Sequence, residues 1–111
     1  MKPSARHARL GVLLAEGRGK PEFLGAVRLC EEALAAGGEA YLYCLHEGIR
    51  CVGSAELQAL RTRGLRLFGC AFAARRRGIE MGEEAVYSGL GVLADIVARP
   101  VRTRRGAGAA G

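Results

Sequence analysis

Leu65-Arg66-Leu67-Phe68-Gly69-Cys70-Ala71-Phe72-Ala73-Ala74-Arg75-Arg76-Arg77-Gly78-Ile79 is the stretch on which the fold turns. Residues 65–68 form a short apolar strand that runs into a Gly-Cys turn. A small-residue turn of helix follows, then three arginines and a glycine. This reading puts Cys70 where a strand ends and a helix begins. In open α/β sheets, ligands and chemistry gather at the carboxyl ends of the strands. A thiol at a helix N-terminus feels the positive end of the helix dipole, and nearby guanidinium groups add to that field, so thiolate is favoured. Arg75, Arg76 and Arg77 are accessory candidates on this ground. The alternative is that Cys70 is a small buried hydrophobe, as most free cysteines are.

Working outward, 111 residues fit one domain. Half of them are hydrophobic and a quarter charged. That composition is globular, with a core built from Leu, Val, Ala and Ile because aromatics are few. No apolar run approaches the length of a membrane span. The run behind the basic N-terminus is too short for a signal-peptide core, so a cytoplasmic location is expected. The net charge of +6 calls for acidic partners, nucleic acid among them. The four cysteines are Cys30, Cys44, Cys51 and Cys70. None forms a C-x-x-C pair, which argues against a zinc ribbon and a thioredoxin-type couple. The residues name no metal and no organic cofactor.

Residues 1–8 read as a flexible basic leader, 9–105 as one α/β domain, and 106–111 as a disordered Gly/Ala tail. The continuous apolar run at 9–15 suits a strand buried on both faces of a parallel sheet. Gly19-Lys20 lacks the rest of a phosphate loop, since Pro21 follows. Pro21 opens a helix whose apolar stripe is Phe23, Val27, Cys30 and Leu34, ending near Gly37-Gly38. Residues 40–45 form the second strand, with Cys44 packed inside. Residues 46–53 are the loop leaving its carboxyl end, on the same edge as Cys70. His46 is there a candidate for proton handling, with a plain surface histidine as the alternative. Cys51 is a second thiol that could approach Cys70.

Ser54 caps a short helix that buries Leu57 and Leu60, and Gly64 ends it. After the opening stretch, residues 80–84 are a polar connector. Ser88 caps a last helix carrying Leu90, Leu93, Ala94 and Val97. Gly89-Leu90-Gly91-Val92-Leu93-Ala94 matches a dinucleotide fingerprint in letters, but no convincing strand precedes it. Residues 100–104 suit a strand at a sheet edge. The order β-α-β-α-β-α-α-β predicts a small, mostly parallel sheet of four to five strands with helices on both faces.

In these residues the chain resembles the DsrE/TusD-type (DsrE/DsrF-like) sulfur-transfer family, from Arg9 to about Arg104. The most specific part is Cys70-Ala71-Phe72-Ala73-Ala74-Arg75-Arg76-Arg77-Gly78-Ile79. TusD-like members carry a cysteine, small residues and Arg-Arg-Gly in similar order. Glu47-Gly48-Ile49 resembles the family's Glu-Gly-Val. Ser88-Gly89-Leu90-Gly91 resembles its Ser-Gly-Leu-Gly before the last helix. Two features depart from the pattern: the segment 53–65 is shorter, and Cys51 stands where no family cysteine is expected.

The resemblance implies a three-layer fold and a persulfide carrier, a sulfurtransferase. Cys70 would take sulfane sulfur from a donor protein and pass it to an acceptor protein. It also implies a homotrimer or homohexamer, or a hetero-oligomer with sister subunits. Two other functions compete. A non-catalytic structural subunit of such an oligomer is ranked second. A nucleic-acid-binding module is ranked last, because no recognition motif and few exposed aromatics support it.

Overall fold

A computed structural model describes residues 9–89, 91 and 102–105. The expected leader, the Gly/Ala tail and the last helix with Leu90, Leu93, Ala94 and Val97 lie outside the described residues. The elements in chain order are β1 (Arg9–Leu14), α1 (Pro21–Ala35), β2 (Glu39–Cys44), a 3₁₀ helix (His46–Cys51), α2 (Ala55–Thr62), β3 (Arg66–Cys70), α3 (Ala71–Arg76), β4 (Val86–Ser88) and β5 (Arg102–Arg105). The strands form one sheet in the order β4-β3-β2-β1-β5, and every pairing is parallel. The class expected from the sequence, a small parallel α/β sheet flanked by helices, is the class found.

Register explains how the faces divide. Leu10, Val12 and Leu14 of β1 stand beside Ala40, Leu42 and Cys44 of β2, and Leu42 stands beside Leu67 of β3. All seven are buried. Phe23, Ala26 and Cys30 of α1 and Leu57 and Leu60 of α2 complete that core. Each fully buried Leu or Phe stabilises the fold by about 1.5–3 kcal/mol relative to exposure. The other face carries Tyr41 and Tyr43 of β2 with Arg66, Phe68 and Cys70 of β3. Tyr41 stacks on Phe68 with ring centroids 6.5 Å apart, and the Arg66 guanidinium lies 5.8 Å from the Tyr41 ring centre.

The helix limits follow from local chemistry. Pro21 occupies the first turn of α1, where its missing N–H costs nothing. The Ser54 side chain accepts from Leu57 N at 3.3 Å and caps α2. α1, α2 and α3 end the same way, on a glycine with positive φ: Gly37, Gly64 and Gly78. Behind each, two backbone bonds close a Schellman turn; for α3 these are Gly78 N to Arg75 O at 3.2 Å and Ile79 N to Ala74 O at 2.9 Å.

Three expectations are corrected. Residues 46–51 are not a loop but a 3₁₀ helix. The strand does not turn at Gly69-Cys70; β3 runs through both. A Cβ at Gly69 would meet Ile49 Cδ1 at 2.8 Å and Tyr87 Cε1 at 2.9 Å, so glycine serves close approach rather than a turn. Lastly, a strand does precede Gly89: β4 pairs Phe68 with Val86 and Cys70 with Ser88. Three residues are too few for an alternation pattern to stand out.

Candidate functional site

Cys70 is the last residue of β3 and the N-cap of α3. Its φ of −72° and ψ of 115° are still those of a strand, which turns the thiol back over the helix start. The Ala73 N–H donates to Cys70 Sγ at 3.4 Å. α3 has only six residues, so this direct bond rather than a long helix dipole is what the sulfur feels. Cys70 is 7% exposed. It lines a cleft of about 520 Å³ together with Leu45, His46, Phe72, Ala73, Arg76 and Arg77.

The 3₁₀ helix brings His46 into this lining. Leu45 N donates to Leu14 O at 2.9 Å, which anchors the end of β2 to the end of β1. The chain then reverses at His46, whose φ of 51° is left-handed. A non-glycine residue there costs on the order of 1 kcal/mol, held in place by the surrounding contacts. Gly48 lies directly against the Leu14 carbonyl, where no Cβ fits. The tight seat of Gly48 thus fixes the rim of the cleft that carries His46.

The three arginines separate. Arg76 lines the cleft with its guanidinium 5.6 Å from the ring centre of Phe72, which is 62% exposed. Arg77 also lines it, but its Nε donates to Glu47 Oε2 at 2.9 Å. Glu47 accepts from Arg50 as well, at 2.8 Å, and these two hydrogen bonds hold its carboxyl below the usual carboxylate range. Arg75 is exposed and is not part of the cleft lining. Of the triple arginine, Arg76 is the charge that faces the cleft without a carboxylate partner among the described residues.

The other thiols lie elsewhere. Cys51 is buried, its S–H donating to Glu16 O at 3.7 Å, and it is not among the residues that line the cleft with Cys70. Burial pushes the Cys51 thiol up to about 11 and the Cys30 thiol up to about 12, and raises Cys44 further. Among the described residues, no cluster of three or more His, Cys, Asp or Glu could hold a metal ion.

Tyr43 lies behind the cleft, on the same sheet face as Cys70, a placement that its position in an apolar strand does not disclose. It is 1% exposed. Its hydroxyl donates to Gly89 O at 3.1 Å and reaches Ser88 O at 3.4 Å, and because Ser88 is the register partner of Cys70, the ring crosses β3 beside Cys70. Burial first, and the nearby Cys70 charge second, push the Tyr43 phenol up to about 12. Ser88 Oγ, beside Cys70 in the register, is buried without a hydrogen-bond partner among the described residues. No spacing rule could have found this group; a strand tyrosine two residues from the strand end was the only trace.

No protein-family model matches the chain, and no curated protein matches it in sequence. Among the described residues no helix is long and apolar enough to cross a membrane. Among solved structures, the chain is similar to the ychN protein from E. coli. The TM-score is 0.70 at 13% identity, over 89% of this chain and 98% of that one. At that identity the likeness is one of fold. The chain therefore has the parallel α/β architecture of the DsrE/DsrF-like fold, with Cys70 at the carboxyl edge of its sheet.

Proposed function

We propose that the protein is a sulfur carrier that holds sulfane sulfur as a persulfide on Cys70 and passes it to an acceptor protein. The observation that carries this reading is the position of Cys70, at a strand end on the wall of a 520 Å³ cleft with a backbone N–H aimed at its sulfur. The resemblance in sequence around Cys70 and the likeness in fold support the same chemistry.

The transfer is an exchange without net oxidation. The Cys70 thiolate attacks the terminal sulfur of a donor persulfide. The new bond joins Cys70 Sγ to that sulfur, the donor's S–S bond breaks, and its electron pair leaves with the donor thiolate. Delivery repeats the step with Cys70 as the leaving group. His46 is the imidazole of the cleft, the side-chain type most used to take and return protons. Arg76 supplies positive charge beside the persulfide anion. The partners are protein donors and acceptors in the cytoplasm, and the assembly is a trimer, a hexamer or a complex with sister subunits.

One observation favours a second reading, a non-catalytic subunit. Cys70 is 7% exposed and its sulfur caps a helix, which is a structural use of a thiol. One experiment separates the two. The reduced protein is incubated with polysulfide, or with a cysteine desulfurase and cysteine, and its intact mass is measured beside Cys70→Ser and Cys51→Ser. A reducible gain of one sulfur atom in wild type and Cys51→Ser, absent in Cys70→Ser, is the expected result. No gain in wild type would establish the structural reading instead.

A further inference from the structure

We propose that the Tyr43 hydroxyl is the hydrogen-bond donor that holds anionic sulfur on Cys70, turning its proton from the Gly89 carbonyl to the sulfur when Cys70 becomes charged. For the persulfide form this inference rests on the carrier reading above; for the thiolate it does not.

The placement follows from the pleat. Tyr43 pairs with Phe68, and Cys70 is the next residue of β3 on the same face. A tyrosine ring leaning along the strand therefore carries its hydroxyl past Phe68 to the end of the sheet. There the hydroxyl bonds Gly89 O at 3.1 Å and Ser88 O at 3.4 Å, and since Ser88 is the register partner of Cys70, the ring crosses β3 beside the Cys70 side chain. A phenol has one proton and two lone pairs. While Cys70 is a neutral thiol, the proton serves the Gly89 carbonyl. Once the sulfur is an anion, it is the stronger acceptor and draws the O–H to itself, because charge-assisted hydrogen bonds are roughly twice as strong as neutral ones.

Burial gives this donor its weight. At 1% exposure, little water competes for the hydroxyl. Burial also keeps the phenol protonated, since its ionisation is pushed up to about 12. Tyr43 is thus a donor wherever the protein works and never a base. The carbonyls of residues 88 and 89 hold the ring end in place, so the donor is positioned before any sulfur arrives.

The test is the pH profile of Cys70 alkylation, measured without any sulfur donor on a Cys30, Cys44, Cys51 background left native. Wild type is compared with Tyr43→Phe and with a protein carrying 3-fluorotyrosine at position 43, whose phenol is a stronger donor and, starting from about 12, stays protonated where thiols titrate. The remaining titratable groups on the cleft are His46, Arg76 and Arg77, the last paired with Glu47, and none is changed. The midpoint should rise by about one pH unit or more in Tyr43→Phe, as loss of a hydrogen bond to a charged group predicts, and fall in the fluorinated protein. A looser β4 would alter the limiting rate at high pH through access, not the midpoint. Where Tyr43→Phe fails to fold, the fluorinated protein keeps every contact and decides alone. A midpoint that stays put in the folded variants overturns the proposal. A second arm follows loss of the added sulfur mass, expected severalfold faster in Tyr43→Phe; equal lifetimes overturn the persulfide part. A wild type that never gains sulfur defeats the carrier reading while the alkylation profile still judges Tyr43.

Discussion

Arg77 ties α3 to the 3₁₀ helix: its Nε donates to Glu47 Oε2 at 2.9 Å while its Nη1 donates to the Ala73 carbonyl at 3.3 Å. The arginine nearest in sequence to the glycine that ends α3 is therefore spent on holding the helix against the neighbouring turn, over the thiol. Glu47→Gln should loosen α3 and lower the denaturant midpoint. Because the Glu47 carboxyl is held below its ordinary range, its contribution is fully present above that range and is lost as pH falls through the lowered value. Wild type should exceed Glu47→Gln at about pH 7, and the gap should close as pH falls below the ordinary carboxylate range. A gap that persists at acid pH would mean that the charge of Glu47 is not what matters.

Arg76 and Arg75 should differ although they are neighbours. Arg76 faces the cleft over Phe72, and Arg75 is not part of the cleft lining. Arg76→Ala should slow the reaction of Cys70 with a negatively charged disulfide by on the order of two- to fivefold, the range open to one partly solvated charge. The effect should fade with salt and be absent with a neutral reagent of similar size. Arg75→Ala should leave both rates unchanged. Stopped-flow thiol assays of wild type and both variants, with each reagent at two ionic strengths, would read these rates.

Thiol labelling should be ordered by burial and by access. Cys30, Cys44 and Cys51 are buried away from the cleft, and their thiols are all pushed up. Brief iodoacetamide treatment at about pH 8 should add one group, on Cys70, because the thiolate is the reactive form. Denaturation should release all four. Peptide mapping that finds Cys51 labelled as fast as Cys70 would contradict the interior placement of Cys51.

Gly48→Ala should damage the site from its base. The added Cβ has no room against the Leu14 carbonyl, so the 3₁₀ helix that carries His46 must shift. The expected cost is about 1–3 kcal/mol by analogy with overpacking, and sulfur loading should fall with it. Gly53→Ala is the control: nothing lies within 4 Å of its Cβ position, and its stability should stay within about 0.5 kcal/mol of wild type. Equal denaturation curves for the two variants would show that the close packing at Gly48 is not required.

Local chemistry was enough for much of this molecule. The continuous apolar run of β1, Pro21 at the start of α1, the Ser54 cap and the glycines that end α1 and α2 act within a few residues of themselves, so they can be read along the chain. The same holds for Cys70 between a strand and a helix. What required the folded chain was whatever depends on which strands lie side by side. β4 is too short to show a period and exists because β3 offers an edge. Gly69 is a packing contact with Ile49 and Tyr87, residues 20 and 18 positions away, and not a turn. The arginine triplet divides into a charge facing the cleft, a clamp on Glu47 and a solvated side chain, a division set by helix rotation and by the partner across the gap. Tyr43 shares a sheet face with Cys70 only because parallel pairing of β2 with β3 sets Tyr43 beside Phe68, and pairing register is a property of two strands that neither strand's sequence contains.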